Sequence, residues 1–124
     1  MDELKGASVL LLEDEYLIAM DAEEILKELG AAKVATAATL ADAERLVASD
    51  RFDLAMLDVN INGEMSLPLA QTLHQRGVPV VVATGYEMRE ESVGDFAAWL
   101  RKPYSRDSLE QALAAAMKQR AAGA

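Results

Sequence analysis

The chain alternates short apolar runs with longer stretches of helical spacing, and the pair recurs five times along its length. Near-continuous apolar runs are typical of strands whose two faces are both covered by helices. The alternation therefore predicts an α/β protein built on a parallel sheet. We expect strands at Ser8 to Leu12, Lys33 to Thr36, Asp53 to Leu57, Val78 to Ala83 and Ala98 to Arg101.

Local signals place the helices between these runs. Thr39 followed by Asp42 resembles a capping box that opens the second helix. Pro68 is permitted in the first turn of a third helix that begins near Ser66. The stretch from Gly85 to Gly94 has only a weak helical pattern, so the fourth helix is the least defined of the five that we expect.

Composition excludes several classes of protein. A chain of 124 residues makes one ordinary domain, and it has no apolar run near the roughly 20 residues that a membrane span needs. The formal net charge of −9 repels nucleic-acid phosphates. We therefore expect neither a membrane nor a nucleic acid as partner. The N-terminus has no secretory signal and the chain has no cysteine, which makes a reducing cytoplasm the default expectation.

Five polar residues lie at the ends of four predicted strands. Glu13 and Asp14 follow the first strand, Asp58 the third, Thr84 the fourth and Lys102 the fifth. Parallel α/β sheets form their active sites at the carboxyl ends of their strands. If these strands are neighbours, three acids, a hydroxyl and an ammonium meet at one edge of the sheet.

Carboxylates held close together repel one another unless a cation neutralises them. Oxygen ligands of this kind suit Mg²⁺, which takes one or two protein carboxylates and keeps several waters. We expect Asp14 and Asp58 as direct ligands, Glu13 acting through water, and the backbone carbonyl of Asn60 completing the shell.

The same residues suit phosphoryl chemistry. An aspartate can attack phosphorus in line and form an acyl-phosphate, and Asp58 is the candidate nucleophile. The Thr84 hydroxyl and the Lys102 ammonium would each bind a phosphoryl oxygen. Gly85 has no side chain and leaves room for the phosphoryl group beside Thr84.

Taken together, these positions resemble the receiver domain of two-component response regulators over essentially the whole chain. Glu13-Asp14 resembles the family's metal-binding acids, Asp58 its phosphoacceptor, Thr84 its switch hydroxyl and Lys102-Pro103 its lysine followed by proline. The resemblance implies a flavodoxin-like three-layer sandwich with five helices and a parallel sheet in the order 2-1-3-4-5. It also implies a cis peptide before Pro103.

Two aromatic residues enter through the resemblance. Trp99 occupies the position of the family's aromatic switch residue, although a strand Trp in a small domain is equally explained by packing. Tyr86 ends the run Ala83-Thr84-Gly85-Tyr86, which resembles a signature of single-domain receivers. It is either a gate or an exposed loop aromatic.

The chain departs from the family pattern at two places. The usual Met-Pro after the phosphoacceptor is replaced by Ile61-Asn62-Gly63, inside a stretch from Val59 to Glu64 that we expect to be a loop. The distance from Thr84 to Lys102 is short for the family, and we expect a short or mobile fourth helix.

The resemblance implies that residues 1–124 form a stand-alone receiver without an output domain. It would take a phosphoryl group from a histidine kinase or histidine phosphotransfer protein and change its protein contacts, while catalysing only its own phosphorylation and dephosphorylation. One alternative is a pseudo-receiver that docks a partner without phosphorylation. The other is an aspartyl-phosphate phosphohydrolase, which the order of the acids disfavours.

Overall fold

The computed structural model describes residues 4–85 and 97–123, with side chains up to residue 118 in the last helix. The strands are β1 Ser8–Leu12, β2 Lys33–Ala37, β3 Leu54–Asp58, β4 Asn60–Ile61, β5 Glu64–Met65, β6 Val80–Thr84 and β7 Ala98–Arg101. The helices are α1 Tyr16–Glu28, α2 Leu40–Ser49, α3 Leu67–Gln75 and α4 Arg106–Gly123. The expected fourth helix and Tyr86 lie outside the described residues.

Five of the strands form one parallel sheet in the order β2-β1-β3-β6-β7. Since β6 and β7 are the fourth and fifth strands of this sheet, the predicted order 2-1-3-4-5 is confirmed. The register aligns Leu12 with Leu57, Asp58 with Ala83, and Thr84 with Arg101. The carboxyl ends of the four neighbouring strands β1, β3, β6 and β7 are therefore level with one another.

The sheet separates two apolar layers, as a three-layer sandwich requires. Val9 and Leu11 of β1 face the layer that contains α1 and α4, while Leu10 and Leu12 face the layer that contains α2 and α3. All four side chains are at most 1% exposed. This double burial explains why β1 is an uninterrupted apolar run rather than an alternating one. None of the described helices is long and apolar enough to span a membrane.

The first residues of α2 and β6 are set by single side chains. The Thr39 hydroxyl accepts a hydrogen bond from the amide of Asp42 at 3.1 Å, which caps α2 as predicted. β6 begins at Val80 instead of the predicted Val78, because Pro79 has no amide to donate to a sheet ladder.

The expected loop after Asp58 is in fact a short antiparallel hairpin, and the prediction was wrong on this point. β4 pairs with β5 across a turn made by Asn62 and Gly63, whose φ angles are +53° and +85°. Two consecutive positive φ angles are the mark of a type I′ turn, which Asn-Gly favours strongly. Below, "the hairpin" means residues 60–65.

Candidate functional site

The sheet brings the five predicted polar residues to one edge. Asp58 and Thr84 are the last residues of β3 and β6, while Glu13 follows β1 and Lys102 follows β7. The backbone continues the strand pairing there, since the amide of Lys102 donates to the carbonyl of Thr84 at 2.8 Å. The side chains of four neighbouring strands thus converge on one small volume.

Three carboxylates lie close together in the site. Glu13, Asp14 and Asp58 each offer a carboxylate oxygen within 4.8 Å of the other two. Glu13 and Asp58 are only 3% and 5% exposed, whereas Asp14 is exposed. Hard oxygen donors at this spacing, with one side open to water, suit a divalent cation that keeps part of its hydration shell.

Among the described residues, Lys102 is the positively charged side chain that contacts this cluster. Its Nζ lies 3.1 Å from Asp58 Oδ2 and 3.2 Å from Glu13 Oε1. Burial opposes the charged form of the ammonium, but the Asp58 and Glu13 carboxylates outweigh it and raise the pKa of Lys102 above its ordinary value. The lysine therefore stays charged and neutralises part of the acid cluster.

One ammonium does not neutralise three carboxylates. Burial, followed by repulsion from Glu13, raises the pKa of Asp58 to about 8 even though Lys102 acts in the opposite direction. Near neutral pH the metal-free site therefore favours the protonated form of Asp58. A second source of positive charge would return the carboxylate to its ionised form.

Thr84 supplies a hydroxyl that none of the described residues uses. The residue is 1% exposed, and its Oγ1 has no hydrogen-bond partner in the described part of the chain. A buried polar group without a partner costs roughly 1 to 3 kcal/mol. Such a group beside a cluster of charged side chains is available to an oxygen atom of a ligand.

The hairpin leaves the carbonyl of Asn60 free of strand pairing. The amide of Ser66 donates to the carbonyl of Val59 at 2.8 Å. Hydrogen-bonded and non-bonded pairs alternate in an antiparallel ladder, so the next pair, Asn60 and Met65, is a non-bonded one. The Asn60 carbonyl therefore points away from β5, which is compatible with its predicted role as a metal ligand.

Trp99 lies on β7, the strand next to β6, and packs against the protein. It is half-buried against the apolar layer that contains α2 and α3, and it pairs with Val82, two residues before Thr84. The Arg101 guanidinium lies 5.3 Å from the centre of its ring. Packing thus explains the residue without further function, and its switching role stays a prediction.

Two residues near the site were missed by the sequence analysis. Ser66 is fully buried, and its hydroxyl donates to the backbone carbonyl of Asp58. The amide of Asn62 donates to Asp14 Oδ2 at 3.3 Å. The Asn62-Gly63 dipeptide is a hairpin signal that would have placed the turn, although not its contact with Asp14.

Comparison with known proteins agrees with the arrangement of this site. The family model described as the response regulator receiver domain matches residues 9–114. The chain belongs to this family. The family is the receiver domain found in two-component response regulators, so the family prediction is confirmed.

Similar proteins are known from several bacteria. The solution structure of SdrG from Sphingomonas melonis Fr1 is 38% identical with a TM-score of 0.79, and the match covers 94% of this receiver and 99% of that chain. The PhyR receiver domain of Erythrobacter litoralis is 27% identical with a TM-score of 0.79, and 92% of each chain is covered.

Curated relatives are longer proteins. The transcriptional regulatory protein PdtaR of Mycobacterium tuberculosis is 32% identical over 116 residues, which cover 90% of this receiver and 57% of that protein. The chain spans about half the length of the curated relatives it matches, 48% in one and 57% in another.

Proposed function

We propose that this receiver accepts a phosphoryl group on Asp58 from a phosphohistidine of a histidine kinase or histidine phosphotransfer protein. The observation that carries the proposal is the surroundings of Asp58. Its carboxylate lies 3.1 Å from Lys102 Nζ, within a cluster of three carboxylates. Thr84 ends the adjacent strand, and its hydroxyl has no hydrogen-bond partner among the described residues.

In the proposed step, an oxygen of the ionised Asp58 carboxylate bonds to phosphorus while the bond from phosphorus to the donor imidazole nitrogen breaks. The electron pair of that bond returns to the imidazole. Lys102 and Thr84 bind phosphoryl oxygens, which places positive charge and a hydroxyl donor where negative charge collects. The ammonium of Lys102 is shared between Glu13 and Asp58 in the structure, and it would turn from these carboxylates to the phosphoryl group.

Asp14, Asp58 and the Asn60 carbonyl would hold Mg²⁺, with Glu13 acting through water. When bound, Mg²⁺ would supply the charge that neutralises both the acid cluster and the incoming phosphoryl oxygens. Its charge would also lower the pKa of Asp58, which must lose its proton before it can act as a nucleophile.

Phosphorylation would then alter a protein-binding surface. Thr84 would move toward the phosphoryl group, and Trp99, which pairs two residues away on β7, would repack. Both changes bias a two-state surface that reaches α4. We propose that the receiver has no turnover of external substrates and that it only hydrolyses its own acyl-phosphate. A cytoplasmic location fits this role and the absence of cysteine.

The donor must reach a nucleophile that is only 5% exposed, so it must dock at the rim of the site. Four large apolar side chains among the described residues are exposed; three of them lie in the first turns of α1, just after Asp14, and the fourth, Met65, lies in the hairpin. Tyr16, Leu17 and Met20 are 74%, 77% and 48% exposed. We propose this group, the α1 patch, as the surface on which the phosphohistidine protein docks.

Intact mass after incubation with a small-molecule phosphodonor tests the proposal. We expect one phosphoryl adduct on the wild type in the presence of Mg²⁺, and none without Mg²⁺ or on Asp58→Asn. If the wild type gains no adduct while a control receiver does, the proposed phosphoacceptor role is wrong for small donors. Absence of an adduct with a protein donor as well would favour a docking-only receiver.

A further inference from the structure

The hairpin is tied to the backbone of the phosphoacceptor at its base. Val59, which precedes it, donates its amide to Ala83 at 2.9 Å, and Ser66, which follows it, donates its hydroxyl to the carbonyl of Asp58. Ile61 within the hairpin is completely buried in the layer that contains α2 and α3. The hairpin is therefore anchored as part of the sheet edge.

The tip of the hairpin reaches across to two other loops. The amide of Asn62 donates to Asp14 Oδ2 at 3.3 Å, and its side-chain amide donates to the carbonyl of Ala38 at 3.3 Å. Within the turn, the amide of Gly63 donates to Asn60 Oδ1 at 2.9 Å. These contacts link the loops that follow β1, β2 and β3.

Asp14 is the acid that most needs such a contact. Glu13 and Asp58 are held by burial and by Lys102, whereas Asp14 is exposed. An exposed side chain loses rotamer entropy when it becomes a ligand. A hydrogen bond to Oδ2 reduces that loss beforehand and leaves Oδ1 to offer to a cation.

We infer that the hairpin is a positioning element for Asp14, and that the amide of Asn62 sets the affinity of the site for divalent cations through this contact. The inference rests on the metal site of the proposed function and adds a residue that controls it. The contact occurs with a type I′ turn, in which residues 62 and 63 both have positive φ and the Asn62 amide donates to Asp14.

Two glycines allow a matched test. Gly63 and Gly77 have φ angles of +85° and +81°, and a Cβ at either one would meet no atom of the described residues within 4 Å beyond its chain neighbours. Alanine thus imposes similar backbone strain at both positions. Only Gly63 lies in the hairpin, while Gly77 follows α3 at the opposite end of the sheet.

Calorimetric titration with MgCl₂ compares the wild type, Gly63→Ala and Gly77→Ala. We expect similar losses of thermal stability in both variants, but an Mg²⁺ affinity weakened on the order of 5- to 10-fold only in Gly63→Ala. If Gly63→Ala does not fold, Asn60→Ala replaces it. That change removes the acceptor for the Gly63 amide and keeps the backbone carbonyl of residue 60, and we expect it also to weaken Mg²⁺ binding.

Equal Mg²⁺ affinity in the wild type and the folded hairpin variant would overturn the inference and leave the proposed function intact. Equal weakening in Gly77→Ala would also overturn it, since the effect would then follow general destabilisation. A wild type that binds no Mg²⁺ would overturn both the inference and the metal site of the proposed function.

Discussion

At the scale of the residue, Asp58 combines a chemical task with an unfavourable environment. A nucleophilic carboxylate must be ionised, yet burial and the neighbouring Glu13 raise its pKa to about 8. The ordinary value is 3.8. The folded protein therefore holds a proton over a pH range in which the unfolded chain has released it.

This difference predicts how the stability of the metal-free protein depends on pH. Between about pH 4 and pH 8 the folded state binds more protons than the unfolded state, so the free energy of unfolding falls as pH rises through this range. Asp58→Asn removes the titrating group. As pH rises across this range, we expect the free energy of unfolding to fall by about 1 to 3 kcal/mol less in the variant than in the wild type.

Urea denaturation in chelator at pH 5, 6, 7 and 8 measures this effect. Asp107→Asn, on the exposed first turn of α4, is the matched control and should follow the wild type. Parallel pH profiles for the wild type and Asp58→Asn would contradict the assigned environment of Asp58.

At the scale of the element, α1 has two faces with different roles. Ala19, Ala22 and Leu26 are buried against the sheet, and the small alanines let the helix pack closely. The α1 patch points to solvent, although burying such side chains elsewhere would be favourable. An exposed apolar group beside the site is better explained by a partner than by folding.

We expect Leu17→Glu to slow phosphoryl transfer from a histidine phosphotransfer protein that phosphorylates the wild type. A loss of at least about 10-fold corresponds to 1.4 kcal/mol of docking energy. Phosphorylation by a small-molecule donor should not change, because Asp58 and its partners are untouched. Gln71→Glu on the exposed face of α3 adds the same single negative charge and controls for it.

Transfer rates and adduct yields, both read by mass spectrometry, separate these two outcomes. If Leu17→Glu slowed both donors equally, the site rather than the docking surface would be affected. If it slowed neither, the α1 patch would not be the docking surface.

At the scale of the whole molecule, the site is a concentration of charge in an acidic protein with a net charge of −9. Two of its three acids are buried, and ionising both of them without a bound cation opposes folding. A ligand that binds only the folded state stabilises it by mass action, by about 2.7 kcal/mol at one hundred times its dissociation constant.

We therefore expect Mg²⁺ to raise the thermal midpoint of the wild type, and Asp14→Asn to lose most of that rise. Scanning calorimetry with MgCl₂, against NaCl at equal ionic strength, separates specific binding from screening. Equal increases with both salts, or an undiminished increase in Asp14→Asn, would contradict a metal site at Asp14.

Local patterns in the sequence were sufficient for most elements. β7 spans the predicted residues Ala98–Arg101, and the Thr39 cap begins α2 as predicted, because burial periodicity and capping act over a few residues. The same reasoning missed the hairpin. Its strands have only two residues each, too few for a recognisable apolar alternation, and only its Asn-Gly turn was visible in the sequence.

By itself, the sequence determined the parallel α/β class and the positions of five polar residues at strand ends. Tertiary structure decided the 3.1 Å contact of Lys102 with Asp58, the burial that raises the pKa of Asp58, and the contact of Asn62 with Asp14 across 48 residues. Strand and turn patterns act between near neighbours in the chain. Distances and burial at a shared site depend on the packing of every element between them.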